Sequence, residues 1–157
     1  MLTLNQTAPD FDAVDEAGHP LRLADFLGSK NVVLYFYPKD DTPGCTIEAN
    51  QFSALIAEFN KLDSVVIGVS KDSCTSHQAF IDKFALKVHL LSDTSGKVCE
   101  DYGVWQEKEK NGVKKMGIVR STFVVDKHGM LKSVEYGVTA EGHAQRVLDF
   151  IRHSEAR

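Results

Sequence analysis

The chain has 157 residues, 43% hydrophobic and 25% charged, with a net charge of −4. That is the length of one ordinary domain with its own core, and the acidic balance gives no reason to expect nucleic acid or an anionic membrane as partner. No apolar run approaches the ~20 residues of a membrane helix.

The opening MLTLNQTAPDF lacks the basic and apolar regions of a signal peptide, and three widely spaced cysteines make no disulfide framework. The expectation is a single cytoplasmic domain over residues 1–157 with reduced thiols. Residues 1–30 read as a β-rich N-terminal extension. Ala8-Pro9-Asp10-Phe11 opens it, Glu16-Ala17-Gly18-His19-Pro20 carries strong turn chemistry, and Leu21-Arg22-Leu23 alternates like a strand. Ala24 to Gly28 fits one helical turn stopped by the glycine.

The run Asn31 to Tyr37 (NVVLYFY) is too continuously apolar for a half-exposed strand and reads as a central strand covered on both faces. A helix follows at once. Thr42 suits its N-cap, Pro43 its first position, and Cys45 falls at the third. Ile47, Phe52, Leu55, Ile56 and Phe59 are expected on its inner face, with Glu48, Asn50, Gln51 and Glu58 largely off it.

Ser64 to Val69 reads as a second buried strand, and Asp72 or Ser73 caps a helix whose inner face is His77, Phe80, Ile81 and Phe84. Val88 to Leu91 is a shorter strand, and a brief helix with Val98, Cys99 and Tyr102 comes next. The mixed-charge stretch Gln106 to Lys115 reads as a solvated hairpin turning at Asn111-Gly112. Thr122 to Val125 and Met130 to Tyr136 flank Asp126-Lys127-His128-Gly129, a second hairpin. A last helix, capped by Thr139, places Ala140, Ala144, Val147, Leu148 and Ile151 on one face. This order predicts an α/β, thioredoxin-like fold, a central mixed β-sheet flanked by helices.

In a parallel βαβ unit, ligands collect at the carboxyl ends of the strands. Cys45 and Cys74 each follow such a strand, so both are expected at that edge. A helix N-terminus, with its unpaired N–H groups and partial positive charge, is where a thiol becomes reactive. Dithiol exchange is disfavoured, because Thr46, Ile47 and Glu48 leave no C-x-x-C after Cys45. All four prolines also lie at or before Pro43, so none precedes the late hairpin strand. Arg120 stands there instead.

Pro38-Lys39-Asp40-Asp41-Thr42-Pro43-Gly44-Cys45 matches the P-x-x-x-T-x-x-C signature and resembles the peroxiredoxins. The version Thr42-Pro43-Gly44-Cys45-Thr46 is similar to the Q-type, or bacterioferritin comigratory protein, subfamily. The resemblance runs nearly the full length, through Val69 to Ser73 with Ser76-His77, Tyr102 to Trp105, Met116 to Ile118 and Arg120 to Phe123.

It implies that Cys45 is the peroxidatic cysteine. Cys45 would attack hydrogen peroxide or an organic hydroperoxide and become a sulfenic acid, which thioredoxin, glutaredoxin or a small thiol then reduces. It implies no cofactor and no metal; the one pair with any metal-ligand spacing, Cys74 and His77, is a weak one. A monomer or weak dimer is expected. An ordinary thiol of pKa ~8.5 is only about 3% thiolate at neutral pH, and lowering the pKa to ~6 gains roughly thirty-fold. A fast peroxidase needs more, from donors aimed at the peroxide oxygens. The resemblance assigns that work to Thr42, which holds a peroxide oxygen, and to Arg120, a cation that stays charged at working pH. Pro38, without an N–H, shields the pocket; Glu48, one turn beyond Cys45, either positions Arg120 or is a solvated helix carboxylate.

The usual resolving cysteines are absent. Asn50 stands five residues after Cys45, and Ile81 follows Phe80. Cys74 is the candidate substitute, through partial unwinding around Cys45, and Cys99 reads as structural. The favoured cycle uses one cysteine. An alternative class, a peroxide sensor that passes oxidation to a partner protein, would use the same residue.

Overall fold

In the computed structural model, which describes residues 1–155, β1 (Asp12–Val14) and β2 (Pro20–Arg22) form the entry hairpin and a 3-10 turn covers Leu23–Asp25. The body follows as β3 (Asn31–Phe36), α1 (Pro43–Ala54), α2 (Ile56–Lys61), β4 (Ser64–Ser70), α3 (Cys74–Phe84), β5 (His89–Ser92) and α4 (Lys97–Asp101). The last part is β6 (Trp105–Lys110), β7 (Val113–Ile118), β8 (Ser121–Val125), β9 (Leu131–Tyr136) and α5 (His143–Glu155).

Seven strands make one mixed sheet in the order β2-β1-β5-β4-β3-β8-β9. β3, β4 and β5 run parallel, whereas β8 lies antiparallel to β3. All six residues of β3 are buried, as its apolar composition requires at the centre of a sheet covered on both faces. Its period of two splits the core. Val32, Leu34 and Phe36 join Phe11, Tyr102 and Phe123 under the N-terminal extension and α4. Val33, Tyr35 and Tyr37 join Phe52, Phe59, Phe80 and Leu148 under the other helices, and Cys45 belongs to this second cluster. The ribbon β6–β7 stands outside the sheet and turns at Asn111-Gly112, both with positive φ. This is the type of turn that favours Asn-Gly.

Two expectations about helices need correction. The helix after β3 breaks at Leu55 into α1 and α2. The buried stripe of α1 is Cys45, Glu48, Ala49 and Phe52, while Ile47 is 39% exposed. The stripe is shifted by one residue because Glu48 has a cation to pair with inside, so a carboxylate takes the place an apolar residue was expected to hold. The last helix starts at His143, not after Thr139. Gly142 has φ +76, which an α-helix cannot continue, and its N–H donates to Gln51 Oε1 of α1 at 2.9 Å. Its apolar face, from Ala144 to Ile151, is buried as expected.

Candidate active site

β3 ends at the sheet edge shared with β4, and the chain turns through Pro38 to Thr42 into α1. Pro38 sits exposed at the bend, so it is a rim residue and not a buried wall. Thr42 has extended backbone at the N-cap position, but its hydroxyl does not cap the helix. It donates instead to the Lys39 carbonyl at 2.8 Å. The first helical bond runs from Thr46 N–H to the Thr42 carbonyl at 2.8 Å. The N–H groups of Gly44 and Cys45 therefore have no acceptor within the helix.

Cys45 is 2% exposed. Arg120, in the gap between β7 and β8, crosses to it. Its Nη2 donates to Cys45 Sγ at 3.3 Å and its Nη1 to Glu48 Oε1 at 2.7 Å. The Arg120 carbonyl accepts from Val138 N–H at 2.9 Å, which fixes the strand from which the side chain departs. A Cβ built on Gly44 would lie 3.0 Å from Arg120 Nη2. Glycine at this position lets the guanidinium lie against the first helical turn.

Glu48 is fully buried, and its Oε2 finds no hydrogen-bond partner among the described residues. Burial pushes its carboxyl up to about 7, against the opposing pull of Arg120. One cation thus serves two acids, a thiol and a carboxyl. When Glu48 carries a proton, the guanidinium charge is left to the sulfur. Burial, helped by the charges of Glu48 and Cys45, also pushes the Tyr35 hydroxyl beside this cluster upward. Behind it, buried His143 donates from Nε2 to Thr122 Oγ1 at 2.7 Å, since its Nδ1 accepts from Arg146 at 3.0 Å. Burial lowers its tendency to take a second proton.

A second polar group sits on the other side of the loop. Asp40 and His77, 7% and 0% exposed, pair at 2.8 Å. Together with Asp72 they bring ligand atoms within 4.8 Å of one another, the spacing of a metal site. Protein donors already take these oxygens, however: Tyr37 and Ser76 on Asp40, and Ser70 with the Asp40 N–H on Asp72. This is a hydrogen-bond network, not an open ligand set.

All three cysteines are free. Cys74 is half-buried at the first position of α3, beside the Glu16–Gly18 turn, Gln78 and Asp82. The structure does not bring it to Cys45. Cys99 is fully buried in the opposite core layer, and burial pushes its thiol far up, with Asp93 adding to the effect. Trp105 is half-buried under the Lys71 ammonium, 4.1 Å from the ring centroid.

Residues 4–134 match the AhpC/TSA family. The chain belongs to the AhpC/TSA family. Among its curated AhpC/TSA relatives, a putative peroxiredoxin bcp of Helicobacter pylori is 48% identical over 148 residues, which span 94% of this chain and 97% of the relative. Peroxiredoxin Bcp of Bacillus subtilis is 41% identical and covered to 96% on both sides. Among solved structures, the bacterioferritin comigratory protein of Xanthomonas campestris, described for its alkyl peroxide reduction activity, superposes with a TM-score of 0.89 at 35% identity. That match covers 98% of each chain. A cysteine variant of Xylella fastidiosa PrxQ reaches 0.93 at 30% identity, covering 99% of this chain and 98% of that one. The resemblance to Q-type peroxiredoxins is thereby established, and with it a thioredoxin-like fold and a thiol-dependent peroxidase. No helix among the described residues is long and apolar enough to cross a membrane.

Proposed function

We propose that Cys45 reduces hydroperoxides through a sulfenic acid that an outside thiol recycles. The observation that carries this reading is the Arg120 fork, which holds the buried Cys45 sulfur at a helix N-terminus while Glu48 anchors its other arm. The sulfur lone pair forms an S–O bond to the terminal peroxide oxygen and the O–O bond breaks. The departing alkoxide or hydroxide takes a proton and leaves as alcohol or water. Negative charge moves from sulfur to oxygen during this step, so a fixed cation serves the transition state along its whole course.

Thr42 is oriented for one task. Its proton is committed to the Lys39 carbonyl, so its lone pairs are free to accept the peroxide O–H and aim the O–O axis at the sulfur. Pro38 frames the rim without offering an N–H. The Xanthomonas relative's alkyl peroxide activity makes organic hydroperoxides the first substrates to try, beside hydrogen peroxide.

Recycling follows from where the other thiols lie. A disulfide needs Cα atoms within about 7 Å, and Cys99 is locked in the opposite core layer. Cys74 sits in its own groove on α3. A thioredoxin, glutaredoxin or small thiol therefore attacks the Cys45 sulfenic acid, releasing water and forming a mixed disulfide, and a second thiol frees Cys45. Replacing Cys45 by Ser is expected to abolish peroxide turnover while the fold survives, as read by circular dichroism and a thioredoxin-coupled assay. Full turnover in the folded variant would overturn this reading.

A further inference from the structure

His77 lies in the Ser76-His77 motif and is fully buried, yet it is polar on both sides. Its Nδ1 lies 2.8 Å from Asp40 Oδ2 and its Nε2 lies 3.1 Å from the Leu91 carbonyl oxygen. Both partners can accept, so the ring is held by hydrogen bonds at both nitrogens. The Asp40 carboxylate is saturated in turn, with Tyr37 Oη donating to Oδ1 at 2.5 Å and Ser76 Oγ to Oδ2 at 2.8 Å. The Asp40 N–H donates to Asp72 Oδ2 at 2.8 Å, and Ser70 Oγ donates to the same oxygen at 2.7 Å.

These bonds tie the loop between β3 and α1 to the ends of β4 and β5 and to the first turn of α3. The next residue, Asp41, has φ +57, a left-handed conformation that a non-glycine side chain holds at a cost. A strained turn directly after a buried hydrogen-bonded pair is a loop kept in shape by its anchor. Nothing in this network touches the sulfur. Its reach to the chemistry runs through the backbone, from Asp40 to Thr42 and on to Cys45.

We propose that His77 is a positioning residue. With Asp40 it latches the loop in the form that presents Thr42 and Cys45 to peroxide, and breaking the pair frees the loop, exposing oxidised Cys45 to the reducing thiol. The proposal rests on Cys45 being the peroxide-reactive cysteine. It explains why a buried polar pair is kept in a core where apolar residues would pack without a desolvation cost: the hydrogen-bonded pair has one geometry and leaves a buried polar group unsatisfied when either member is lost.

The test uses His77→Asn and Asp40→Asn in the full chain, with three readouts. Amide exchange at Asp40 and Thr46 should rise about ten-fold while the β3 amides keep their protection, because only the loop opens. Oxidation of Cys45 by hydrogen peroxide, followed by stopped flow, should slow by roughly ten-fold or more as the reacting groups lose alignment. Attack of a small thiol on the oxidised cysteine should instead speed up. The double variant should be no worse than either single one. Phe80→Leu, which loosens the same helix without touching the pair, is the control for a merely structural role. Parallel losses in both rates, matched by Phe80→Leu, would overturn the latch, as would unchanged loop exchange. If neither Asn variant folds, Ser76→Ala removes one Asp40 donor and should give a smaller rise in the same amides; no rise there would equally defeat it. A wild-type thiol inert to peroxide would fail the functional reading, and the exchange measurement would still decide the latch.

Discussion

Asp40 and Glu48 flank the same strand-to-helix turn, each a buried carboxyl group hydrogen-bonded to a nitrogen of a distant side chain, and they are finished in opposite ways. Asp40 has a donor for every demand. Burial works to raise its pKa, but hydrogen bonds from His77 and Tyr37 outweigh that and bring it below the ordinary value. Glu48 has Arg120 on one oxygen and no partner on the other, and burial carries it up to about 7. The saturated pair holds shape, whereas the unsaturated one is poised to give up its negative charge. Arg120 cannot fully satisfy Glu48 because it is shared with the sulfur, and that sharing is what a peroxidase needs. A fully paired Glu48 would leave Cys45 with a spent cation.

The largest effect should come from removing the shared cation. Arg120→Met is expected to slow peroxide oxidation of Cys45 by about 10²–10³-fold, the cost of losing one preorganised donor to developing charge. Stopped-flow oxidation with hydrogen peroxide measures it. A loss under three-fold would mean that Arg120 only packs against α1 and that the contrast between the two pairs has no catalytic content.

A sharper probe uses pH, because the two carboxylates should respond with opposite sign. Glu48 binds its proton more tightly folded than unfolded, so its stabilising contribution is present below pH 4.5 and is lost as pH rises through about 7. The loss between pH 4.5 and 7.5 should be about 3 kcal/mol. Asp40 is lowered, so its contribution is present above the ordinary carboxylate value and disappears as pH falls through its folded value. Urea unfolding of Glu48→Gln should lack the neutral-side loss, and Asp40→Asn should lack the acid-side loss. Matching pH profiles in the two variants would erase the distinction.

This contrast was only half legible in the sequence. Thr42 and Cys45 stand out because helix-start chemistry and the P-x-x-x-T-x-x-C spacing are local, and Arg120 because it stands where a thioredoxin-type reductase would carry a proline. Periodicity puts Glu48 largely on the outer face, and its place one turn beyond Cys45 puts it in reach of Arg120; the sequence leaves both open because the contact that decides between them spans 72 residues. His77 was correctly placed inside, but as one more member of an apolar stripe. Its hydrogen bond to Asp40 spans 37 residues, and no local pattern signals which buried histidine has an acid waiting for it. Thr139 failed as a cap for a related reason, because the start of α5 is set by Gln51 of a different helix.

A smaller change tests how tightly the shared cation is placed. At Gly44 a methyl group would meet Arg120 Nη2 at 3.0 Å, and Glu48 holds the other arm of the fork. Gly44→Ala should therefore lower the oxidation rate by about ten-fold, the scale of a modest misplacement of a catalytic group, with little change in unfolding midpoint. An unaffected rate would show that the guanidinium has slack, which the two short contacts argue against.

The smallest effect belongs to the thiol outside both pairs. Cys74 is half-buried in a groove with Glu16, Gln78 and Asp82, while Cys45 is buried and held against Arg120. A bond between them would take Cys45 off Arg120 and out of the buried core layer it shares with Phe52 and Phe80. Cys74→Ser should then change thiol-driven turnover by less than about two-fold, within the range of surface substitutions away from any special feature. Intact-mass and peptide mapping after one equivalent of peroxide should find a Cys45 sulfenic acid and no Cys45–Cys74 disulfide. A disulfide in that map, with turnover lost in Cys74→Ser, would mean that Cys74, and not an outside thiol, resolves the Cys45 sulfenic acid.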